Sequence, residues 1–363
     1  MKPWVSLPPS PVANALFHEP NYDRYPLDLI YCPHCNHIQL ASAPDPDGVF
    51  TEYRYKSGVS NFFRKHFKEY AENVTKQIAP GRMLEIGSND GYLTEQFKNL
   101  GWDVTGVEPS EFLRQDHLDK GVPVVTGFFN TKLVEEQGWE GQFDLICANN
   151  VLAHIPDTAD VAKAISMALK DNAFLVAECG DQSGIINGYN LDNIYHEHID
   201  YYNPYSFSAL FRRFGLIVVH SEEINSHGFS FRIILQKAQV MPNVGKRFWY
   251  MEQHMEMIAD VIADRQTKMN ALINGRNFVA YGAAAKAVTA LYTLNLVDEK
   301  LIGVVDDNEL KQNCYFPGTG IKITSPEELD KDALVVVTAW NVFDDIKAKL
   351  IARGHRGEII CMQ

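Results

Sequence analysis

The feature that most constrains the fold is a short apolar run that ends in a glycine-rich, acidic turn, LEIGSNDGYL at residues 84–93. A helical pattern, YLTEQFKNL, follows it, and a second short apolar run, WDVTGVE, comes next. Strand, helix and strand within about 30 residues form a βαβ unit, whose strands lie parallel in one sheet. The sequence therefore predicts an α/β fold that binds a ligand at the carboxyl edge of its parallel strands.

The alternation of strands and helices continues on both sides of a long breaker-poor segment. Strands are predicted at 143–151, at 173–180 and near 227–237, a helix near 158–170, and a long joining helix over 243–273. A second alternating block follows, in which NFVAYG, LIGVVDDN, DALVVVTAW and GEIICMQ have the composition of strands. We therefore expect a small loop-rich module at 1–75, a ligand-binding α/β domain at 76–240, and a linker helix with a smaller Rossmann-like domain at 241–363.

Composition excludes several classes of function. The chain has 33 basic and 46 acidic residues, a net charge of −13, so it lacks the basic surface that nucleic acid requires. No apolar run approaches the ~18 to 20 residues of a membrane span, and no secretory signal begins the sequence. Six cysteines spread over 363 residues do not form a dense disulfide framework, so we expect a cytoplasmic protein.

The turn after the first strand is suited to a nucleoside cofactor. Its glycines let the backbone approach a ligand, and Glu108, which ends the next strand, is placed to accept hydrogen bonds from two ribose hydroxyls. Polar side chains also end the apolar run of the strand at 143–151, at the same edge of the sheet. The predicted cofactor-binding residues are Glu85, Gly87, Asn89, Asp90, Gly91, Glu108, Asn149 and Asn150.

The identity of the cofactor follows from charge. A dinucleotide needs GxGxxG so that its pyrophosphate sits on a helix N-terminus, and here the text is GSNDGY, where the carboxylate of Asp90 would repel phosphate. S-adenosylmethionine (SAM) carries a sulfonium, an ammonium and no phosphate, so acidic residues favour it. The alternative is an ordinary turn in an unrelated α/β protein.

Several motifs together resemble a known family, the sugar C-methyltransferases that act on nucleotide-linked 4-keto-deoxysugars. In chain order they are LEIGSNDGYL, NNVLAHIPD, NIYHEHIDYY, SHGFSFR, YGAAAKA and FPGTGIKI. The resemblance implies a zinc-binding N-terminal module, a central class I SAM-methyltransferase domain of the Rossmann-like type, and a C-terminal Rossmann-like domain that helps hold the substrate nucleotide. It also implies that a base removes a proton beside the C4 ketone and that the enolate carbon receives the methyl group.

The resemblance implies roles for particular residues. His198 is the general base, since a neutral imidazole, with an ordinary pKa of ~6.5, can take a carbon-bound proton. Tyr195 and Glu197 orient it or support the developing oxyanion. The remaining pocket residues are His154 as a further catalytic group, and Tyr53, Tyr55, Arg232 and Lys286 as substrate contacts.

Each of these residues could instead have a metal-binding or purely structural role. The two histidines of YHEH would form only an incomplete metal site, because the HExxH spacing is absent. Alone, His154 is more often structural than catalytic. The guanidinium of Arg232 could extend from a strand to solvent, and the GAAAK segment that holds Lys286 could be a tightly packed turn that binds nothing.

The sequence departs from the family pattern in two places. The family has two CxxC knuckles, whereas only Cys32 and Cys35 occur before residue 147, and two thiolates do not complete a zinc site, so we expect no zinc. In SHGFSFR, Phe229 stands where the family usually has a second glycine, which adds bulk near the sugar pocket.

Three other functions compete with C-methylation. The first is O- or N-methylation of a nucleotide sugar or a related sugar phosphate, which uses the same cofactor. The second is a nicotinamide oxidoreductase, because two Rossmann-like blocks are present, although GxGxxG is missing. The third is a binding protein on a methyltransferase scaffold. We expect a nucleotide-linked sugar as substrate and a monomer or weak homodimer.

Overall fold

The computed structural model of the chain describes residues 1–14, 18–42, 56–59, 61–187, 190–224, 229–238 and 258–362. Within these residues the strands are β1 (Lys2–Ser10), β2 (Tyr25–Tyr31), β3 (Ile38–Leu40), β4 (Arg82–Ile86), β5 (Asp103–Glu108), β6 (Val124–Thr126), β7 (Phe143–Asn149), β8 (Leu169–Gly180), β9 (Asp200–Tyr201), β10 (Leu216–Ile224), β11 (Ser230–Lys237), β12 (Phe278–Tyr281), β13 (Leu301–Val305), β14 (Ile323–Thr324), β15 (Leu334–Val337) and β16 (Ile359–Cys361). The α-helices are α1 (Asn61–Gln77), α2 (Tyr92–Asn99), α3 (Arg114–Asp119), α4 (Thr131–Gln137), α5 (Thr158–Ala168), α6 (Gln182–Ile186), α7 (Pro204–Phe211), α8 (Ile258–Ile273), α9 (Ala285–Thr293) and α10 (Phe343–Ala352). Short 3₁₀ helices include Ser57–Val59, Leu152–His154, Leu191–Asn193 and Trp340–Val342.

The central sheet has seven strands in the order β10-β11-β8-β7-β4-β5-β6. Strands β6, β5, β4, β7 and β8 run parallel. Beyond β8, β11 pairs antiparallel with β8, and β10 pairs antiparallel with β11. The inner parallel strands are nearly continuous apolar runs because both faces of the sheet are covered. This is the α/β class I SAM-methyltransferase arrangement, so the predicted fold class is confirmed.

Two apolar clusters pack on opposite faces of the central sheet. One contains Leu84 and Ile86 of β4 together with Phe207 of α7. The other contains Met83 of β4 with Phe97 of α2. Successive residues of a strand point to opposite faces, which is why neighbours on β4 belong to different clusters. Each fully buried side chain of this size contributes roughly 1.5–3 kcal/mol to folding, so both clusters hold the carboxyl edge of the sheet in place.

The N-terminal strands form a second sheet, with the order β1-β2-β3-β9. Strand β9 follows the YHEH motif directly, and it pairs antiparallel with β3 through Tyr201 and Ile38. The CPHC turn lies between β2 and β3, and within it the amide of Asn36 donates to the Cys32 carbonyl at 2.8 Å. The pairing of β3 with β9 attaches the N-terminal module to the segment that carries YHEH.

The CPHC turn contains two free, half-buried thiols, Cys32 and Cys35. Among the residues that the structure describes, no group of three or more His, Cys, Asp or Glu side chains is arranged to hold a metal ion. A structural zinc site needs four ligands, so the described residues do not fit the zinc that the resemblance implies.

The third sheet is entirely parallel, with the order β14-β13-β12-β15-β16. Its core contains Phe278 of β12 and Val304 of β13, and the same cluster includes Ala13 from the N-terminal module and Tyr195 from YHEH. The C-terminal sheet therefore packs against both the N-terminal module and the segment that carries the predicted base.

The domain boundaries at 75 and 240 stay predictions. Helix α1 crosses residue 75 and packs on the central sheet through Phe67 and Val74. Of the predicted linker helix, α8 occupies Ile258–Ile273, whereas residues 243–257 lie outside the described residues. Across the ranges given above, no helix combines the length and the apolarity needed to cross a bilayer.

Candidate active site

The turn after β4 requires glycine at two positions. Gly87 and Gly91 have φ angles of 65° and 72°, in the left-handed region that side chains disfavour. A Cβ at Gly87 would lie 2.6 Å from Cγ2 of Val151, and one at Gly91 would lie 2.8 Å from Cδ2 of His117. Only glycine brings the backbone this close to its neighbours, so the turn presents bare main chain at the edge of the sheet.

The turn is supported by His117, a buried residue that was not singled out in the sequence. Its Nδ1 lies 3.0 Å from the carbonyl of Leu113, which can only accept, so Nδ1 is assigned the proton. Nε2 then accepts from the hydroxyl of Ser88 at 2.9 Å. Burial lowers the pKa of His117, which keeps the ring neutral in this arrangement.

Two buried carboxyl groups, Glu85 and Glu108, lie at the ends of β4 and β5. Oε2 of Glu108 accepts the amide of Asn89 at 2.8 Å, and Oε1 accepts the amide of Ser110 at 3.0 Å. Burial raises the pKa of Glu108 to about 7. Burial raises the pKa of Glu85 to about 8, against the opposing effect of a hydrogen bond from the hydroxyl of Thr94. A cationic ligand would stabilise both carboxylates, and a phosphate would be repelled.

The side chains of Asn89 and Asp90 hold a neighbouring turn. Oδ1 of Asn89 accepts the amide of Ser57 at 2.9 Å, and Oδ2 of Asp90 accepts the amide of Gly58 at 3.1 Å. The turn at 57–58 directly follows the aromatic loop that contains Tyr53 and Tyr55, and both tyrosines lie outside the described residues. Direct contact of Asn89 and Asp90 with the cofactor stays a prediction, and the structure gives them the further task of holding this turn beside the cofactor loop.

Asn149 ends β7 with an unsatisfied amide. Both Oδ1 and Nδ2 of Asn149 are buried and have no hydrogen-bond partner among the described residues. Asn150 follows with a left-handed φ of 53°, and its amide donates to the carbonyl of Glu178 at 2.8 Å. An unpaired buried amide costs about 1–3 kcal/mol, so this position favours a ligand with polar groups.

These observations fit SAM. Three kinds of group lie at the carboxyl edge of adjacent strands. They are the bare backbone at Gly87 and Gly91, the carboxyl groups of Glu85 and Glu108, and the amide of Asn149, which has no partner among the described residues. Carboxyl groups suit the cationic centres and the ribose hydroxyls that SAM carries, and an amide suits its amino-acid portion. Which side chain contacts which group stays a prediction. The cofactor of this chain is SAM.

The predicted base, His198, is held at both ring nitrogens. Nδ1 lies 2.8 Å from the carbonyl of Asn193, so Nδ1 is assigned the proton in the neutral ring. Nε2 then carries the lone pair, and it accepts from the hydroxyl of Tyr195 at 2.8 Å. The two rings have centroids 4.0 Å apart. This pair can therefore take up a proton at Nε2 and release one from the tyrosine hydroxyl.

His154 joins the YHEH segment to the cofactor edge of the central sheet. Its Nδ1 lies 2.6 Å from the carbonyl of Glu197, and its ring centroid lies 4.7 Å from that of His198. The amide of Ile199 donates to the carbonyl of Ala153 at 2.7 Å, beside this contact. Burial lowers the pKa of His154, so the ring is neutral and holds the YHEH backbone through its hydrogen bond to Glu197. The structure thus brings His154, Tyr195 and His198 together.

The carboxylate of Glu197 points to the N-terminal module. Oε1 accepts the amide of Asn14 at 2.6 Å, and Oε2 accepts the amide of Ala13 at 3.4 Å. Burial raises the pKa of Glu197, while the amides oppose that effect. These contacts support the orienting part of its predicted role, because they fix the backbone between Tyr195 and His198.

Arg232 lies on β11 in a cluster of charges. Its guanidinium is 2.6 Å from Oε1 of Glu178 and 2.9 Å from Oε1 of Glu222. His66 of α1 contacts the other oxygen of Glu178 at 2.7 Å. Two carboxylates therefore already balance the charge of Arg232, and its contact with a substrate diphosphate stays a prediction.

Lys286 lies at the start of α9, the helix that follows β12 of the C-terminal sheet. It is half-buried, and burial lowers its pKa while the charge of Asp192 opposes that effect. Asp192 lies three residues before the start of YHEH and was not singled out in the sequence, and neither was Ser57. Neither has a sequence signal, because their partners lie far along the chain.

Comparisons with known proteins show which families the chain resembles. Residues 58–221 match the family described as methyltransferase domain, and residues 251–362 match the family described as C-methyltransferase C-terminal domain. The chain is 27% identical over 346 residues to C-methyltransferase NovU of Streptomyces niveus, covering 89% of this chain and 82% of that protein.

Other similarities cover a smaller part of the chain. The ubiquinone biosynthesis O-methyltransferase of Bordetella avium is 28% identical over 113 residues, which cover 30% of this chain and 46% of that protein. Among solved structures, the PH0226 protein of Pyrococcus horikoshii OT3 is similar with a TM-score of 0.43 and 15% identity, covering 54% of this chain and 100% of that chain.

Replacing Gly91 with Ala is expected to weaken SAM binding by about tenfold or more. The new Cβ meets the buried ring of His117, which Ser88 and Leu113 hold in place, so the cofactor turn must shift. The control is Gly101→Ala, which has a φ of 90° and no atom within 4 Å of its Cβ, so it carries the backbone strain without the collision. Isothermal titration calorimetry gives both affinities, and equal losses in the two variants would contradict the argument.

Replacing Glu85 with Gln is expected to make thermal stability less dependent on pH. The pKa of Glu85 is raised to about 8 in the folded protein, above the ordinary 4.5. From about pH 5 to pH 8 the folded protein therefore holds a proton that the unfolded chain has released, and the free energy of unfolding falls as pH rises through this window. Gln does not titrate, so it removes that part of the fall.

The measurement for Glu85→Gln is the melting temperature without cofactor at about pH 5.5 and about pH 8.5. The control is Glu135→Gln, which changes an exposed carboxylate on α4 and should keep the wild-type pH dependence. If Glu85→Gln loses as many degrees between the two pH values as the control, burial of Glu85 does not contribute to the pH dependence.

Proposed function

We propose that this chain, which is a SAM-dependent methyltransferase, transfers its methyl group to a carbon atom of a nucleotide-linked 4-keto-deoxysugar. The observation that carries the proposal is the contact between Tyr195 and His198, at 2.8 Å, beside the edge of the sheet that holds the cofactor. Carbon methylation needs a base for a carbon-bound proton and a donor for the ketone oxygen, and this pair contains one of each.

Carbon is favoured over oxygen as the acceptor by the extent of the similarities. The similarity to a C-methyltransferase covers 89% of the chain, whereas the similarity to an O-methyltransferase covers 30%. Residues 251–362, a range that includes α8 to β16, match the C-terminal domain of C-methyltransferases. The parts of the chain beyond the cofactor domain are therefore the ones associated with carbon methylation.

His198 removes the proton from the carbon beside the ketone. The contact between Nδ1 and the Asn193 carbonyl keeps the lone pair on Nε2, which is the atom that takes the proton. The hydroxyl of Tyr195 donates to Nε2 in this structure and must leave it when the substrate proton arrives. That hydroxyl can then donate to the ketone oxygen, where negative charge develops.

SAM supplies an electrophilic methyl group, carried on a sulfonium, for the carbon that has lost its proton. His154 keeps YHEH against the cofactor edge through the carbonyl of Glu197. Glu197 in turn holds the N-terminal module against the same segment through the amides of Ala13 and Asn14. These contacts fix the distance between the base and the cofactor edge, on which the rate of a bimolecular transfer depends steeply.

The nucleotide of the substrate is assigned to the C-terminal sheet. Asp306, which follows β13, accepts the amide of Ala283 at 2.7 Å and the amide of Asn308 at 2.8 Å. Glu108 accepts two amides in the same way at the end of β5, so the C-terminal sheet repeats the geometry around the predicted ribose-binding carboxylate. The strand order reverses between β12 and β15, where open parallel sheets bind ligands, and Lys286 supplies a positive charge there.

Replacing His198 with Asn is expected to lower the rate of methyl transfer by about a hundredfold or more, because the base is lost. The same variant should stop exchange of the acceptor-carbon proton with deuterated solvent when SAM is withheld. The matched control is His196→Asn, since His196 belongs to the same motif but contacts the Pro26 carbonyl of the N-terminal sheet at 3.1 Å. Melting temperatures show whether each variant folds.

The acceptor atom is tested with SAM that carries a carbon-13 methyl group and a panel of nucleotide-linked 4-keto sugars. The expected product shows a methyl resonance on carbon in the NMR spectrum. A methyl resonance on oxygen or nitrogen would overturn C-methylation, and solvent exchange at the wild-type rate in His198→Asn would remove His198 from the role of base.

A further inference from the structure

One buried carboxylate, Asp192, lies between the YHEH segment and the C-terminal sheet. It sits in the 3₁₀ turn Leu191–Asn193, and it is only 8% exposed. Its Oδ2 accepts a hydrogen bond from Nε1 of Trp340 at 2.9 Å. Trp340 belongs to the segment that leaves β15, so a side chain from the carboxyl edge of the C-terminal sheet binds the turn in front of YHEH.

Two cations from separate helices lie near Asp192. Arg265 lies on α8 and Lys286 on α9, and both are half-buried. Burial lowers the pKa of each, while the negative charge of Asp192 opposes that effect in both. A cavity of about 20 Å³, with room for about one water molecule, is lined by Asp192, Arg265 and Trp340. Asp192 thus binds Trp340 and lies close enough to these two cations to influence their pKa values.

The residue after Asp192 fixes the state of the base. The carbonyl of Asn193 accepts from Nδ1 of His198 at 2.8 Å, which leaves the lone pair on Nε2. The orientation of that carbonyl depends on the backbone of the turn that contains Asp192. If the turn rotated, Nδ1 would lose its acceptor, and Nε2 would no longer be held as the basic nitrogen.

We propose that Asp192 is a positioning residue: by accepting the hydrogen bond of Trp340 it fixes the Asn193 carbonyl and so the tautomer and orientation of His198. The C-terminal sheet, which is assigned the substrate nucleotide, is thereby coupled to the base. The role in catalysis rests on the proposed function, whereas the constraint on the imidazole exists without substrate and can be measured alone.

The test without substrate measures the reactivity of His198 in the full chain. Diethyl pyrocarbonate acylates neutral imidazole, and mass spectrometry of peptides gives the rate at each histidine. In Asp192→Ala we expect His198 to react at least about threefold faster than in the wild type, because its hydrogen bonds to Asn193 and Tyr195 loosen. His37 and His66, which contact Asp200 and Glu178, are internal references that should not change.

Two further variants separate positioning from loss of folding. Trp340→Phe keeps an aromatic ring but removes the hydrogen bond to Asp192, so it should raise the reactivity of His198 in the same direction. Asp332→Asn is the matched control, because it breaks an exposed ion pair with Arg356 at 2.6 Å in the same part of the chain. If Asp192→Ala does not fold, Trp340→Phe decides the outcome alone. A wild-type rate at His198 in the folded variants overturns the proposal.

The second measurement uses the methyl transfer reaction. Asp192→Ala should lower kcat by about tenfold or more with unchanged affinity for SAM, and Asp192→Asn, which can still accept from Trp340, should recover part of the loss. A fall in SAM affinity with no change in kcat contradicts positioning of the base. If His198 reactivity changes but no keto sugar is methylated on carbon, the proposed function fails while the constraint on the imidazole stands.

Discussion

The arrangement depends on a short segment, residues 190–202, which makes hydrogen bonds to three different parts of the chain. The buried carboxylate of Glu197 accepts backbone amides of the N-terminal module, and the carbonyl of Glu197 contacts His154 of the central domain. Asp192 contacts Trp340 of the C-terminal part. A buried carboxylate without partners is strongly destabilising, so these contacts are maintained only when all three parts are in place. The predicted base therefore has a defined position only in the whole chain.

The cofactor edge is built on the opposite electrostatic principle from a dinucleotide site. Burial raises the pKa of both Glu85 and Glu108, which means that ionising them in the folded protein costs free energy. A ligand with cationic centres offsets that cost, whereas a pyrophosphate would increase it. The glycines at 87 and 91 allow the backbone approach, and His117 fixes the turn through Ser88. Charge and backbone geometry thus agree on SAM.

The central sheet and the C-terminal sheet repeat one hydrogen-bond arrangement at their carboxyl edges. In each, a carboxylate that follows one strand accepts an amide from the loop after the neighbouring strand: Glu108 with Asn89, and Asp306 with Ala283. The proposed reaction needs a nucleoside on both sheets, one in the cofactor and one in the substrate. The YHEH segment lies between the two sheets, so the base is where the methyl donor and the acceptor sugar would meet.

The sequence by itself determined the parallel sheets and the chemistry of the cofactor turn, because strand and helix periodicity and glycine and acid placement are local properties. LEIGSNDG predicted the turn, Glu108 the ribose-binding acid, and YHEH the base and its neighbours. Only the tertiary structure decided that Glu197 faces the amides of Ala13 and Asn14 and that Arg232 is paired with two carboxylates. It also decided that His117 contacts Ser88 of the cofactor turn and that Asp192 contacts Trp340. Such pairings join residues far apart in the chain, and no periodic pattern encodes them, since they depend on which side chains the packed sheets bring within hydrogen-bonding distance.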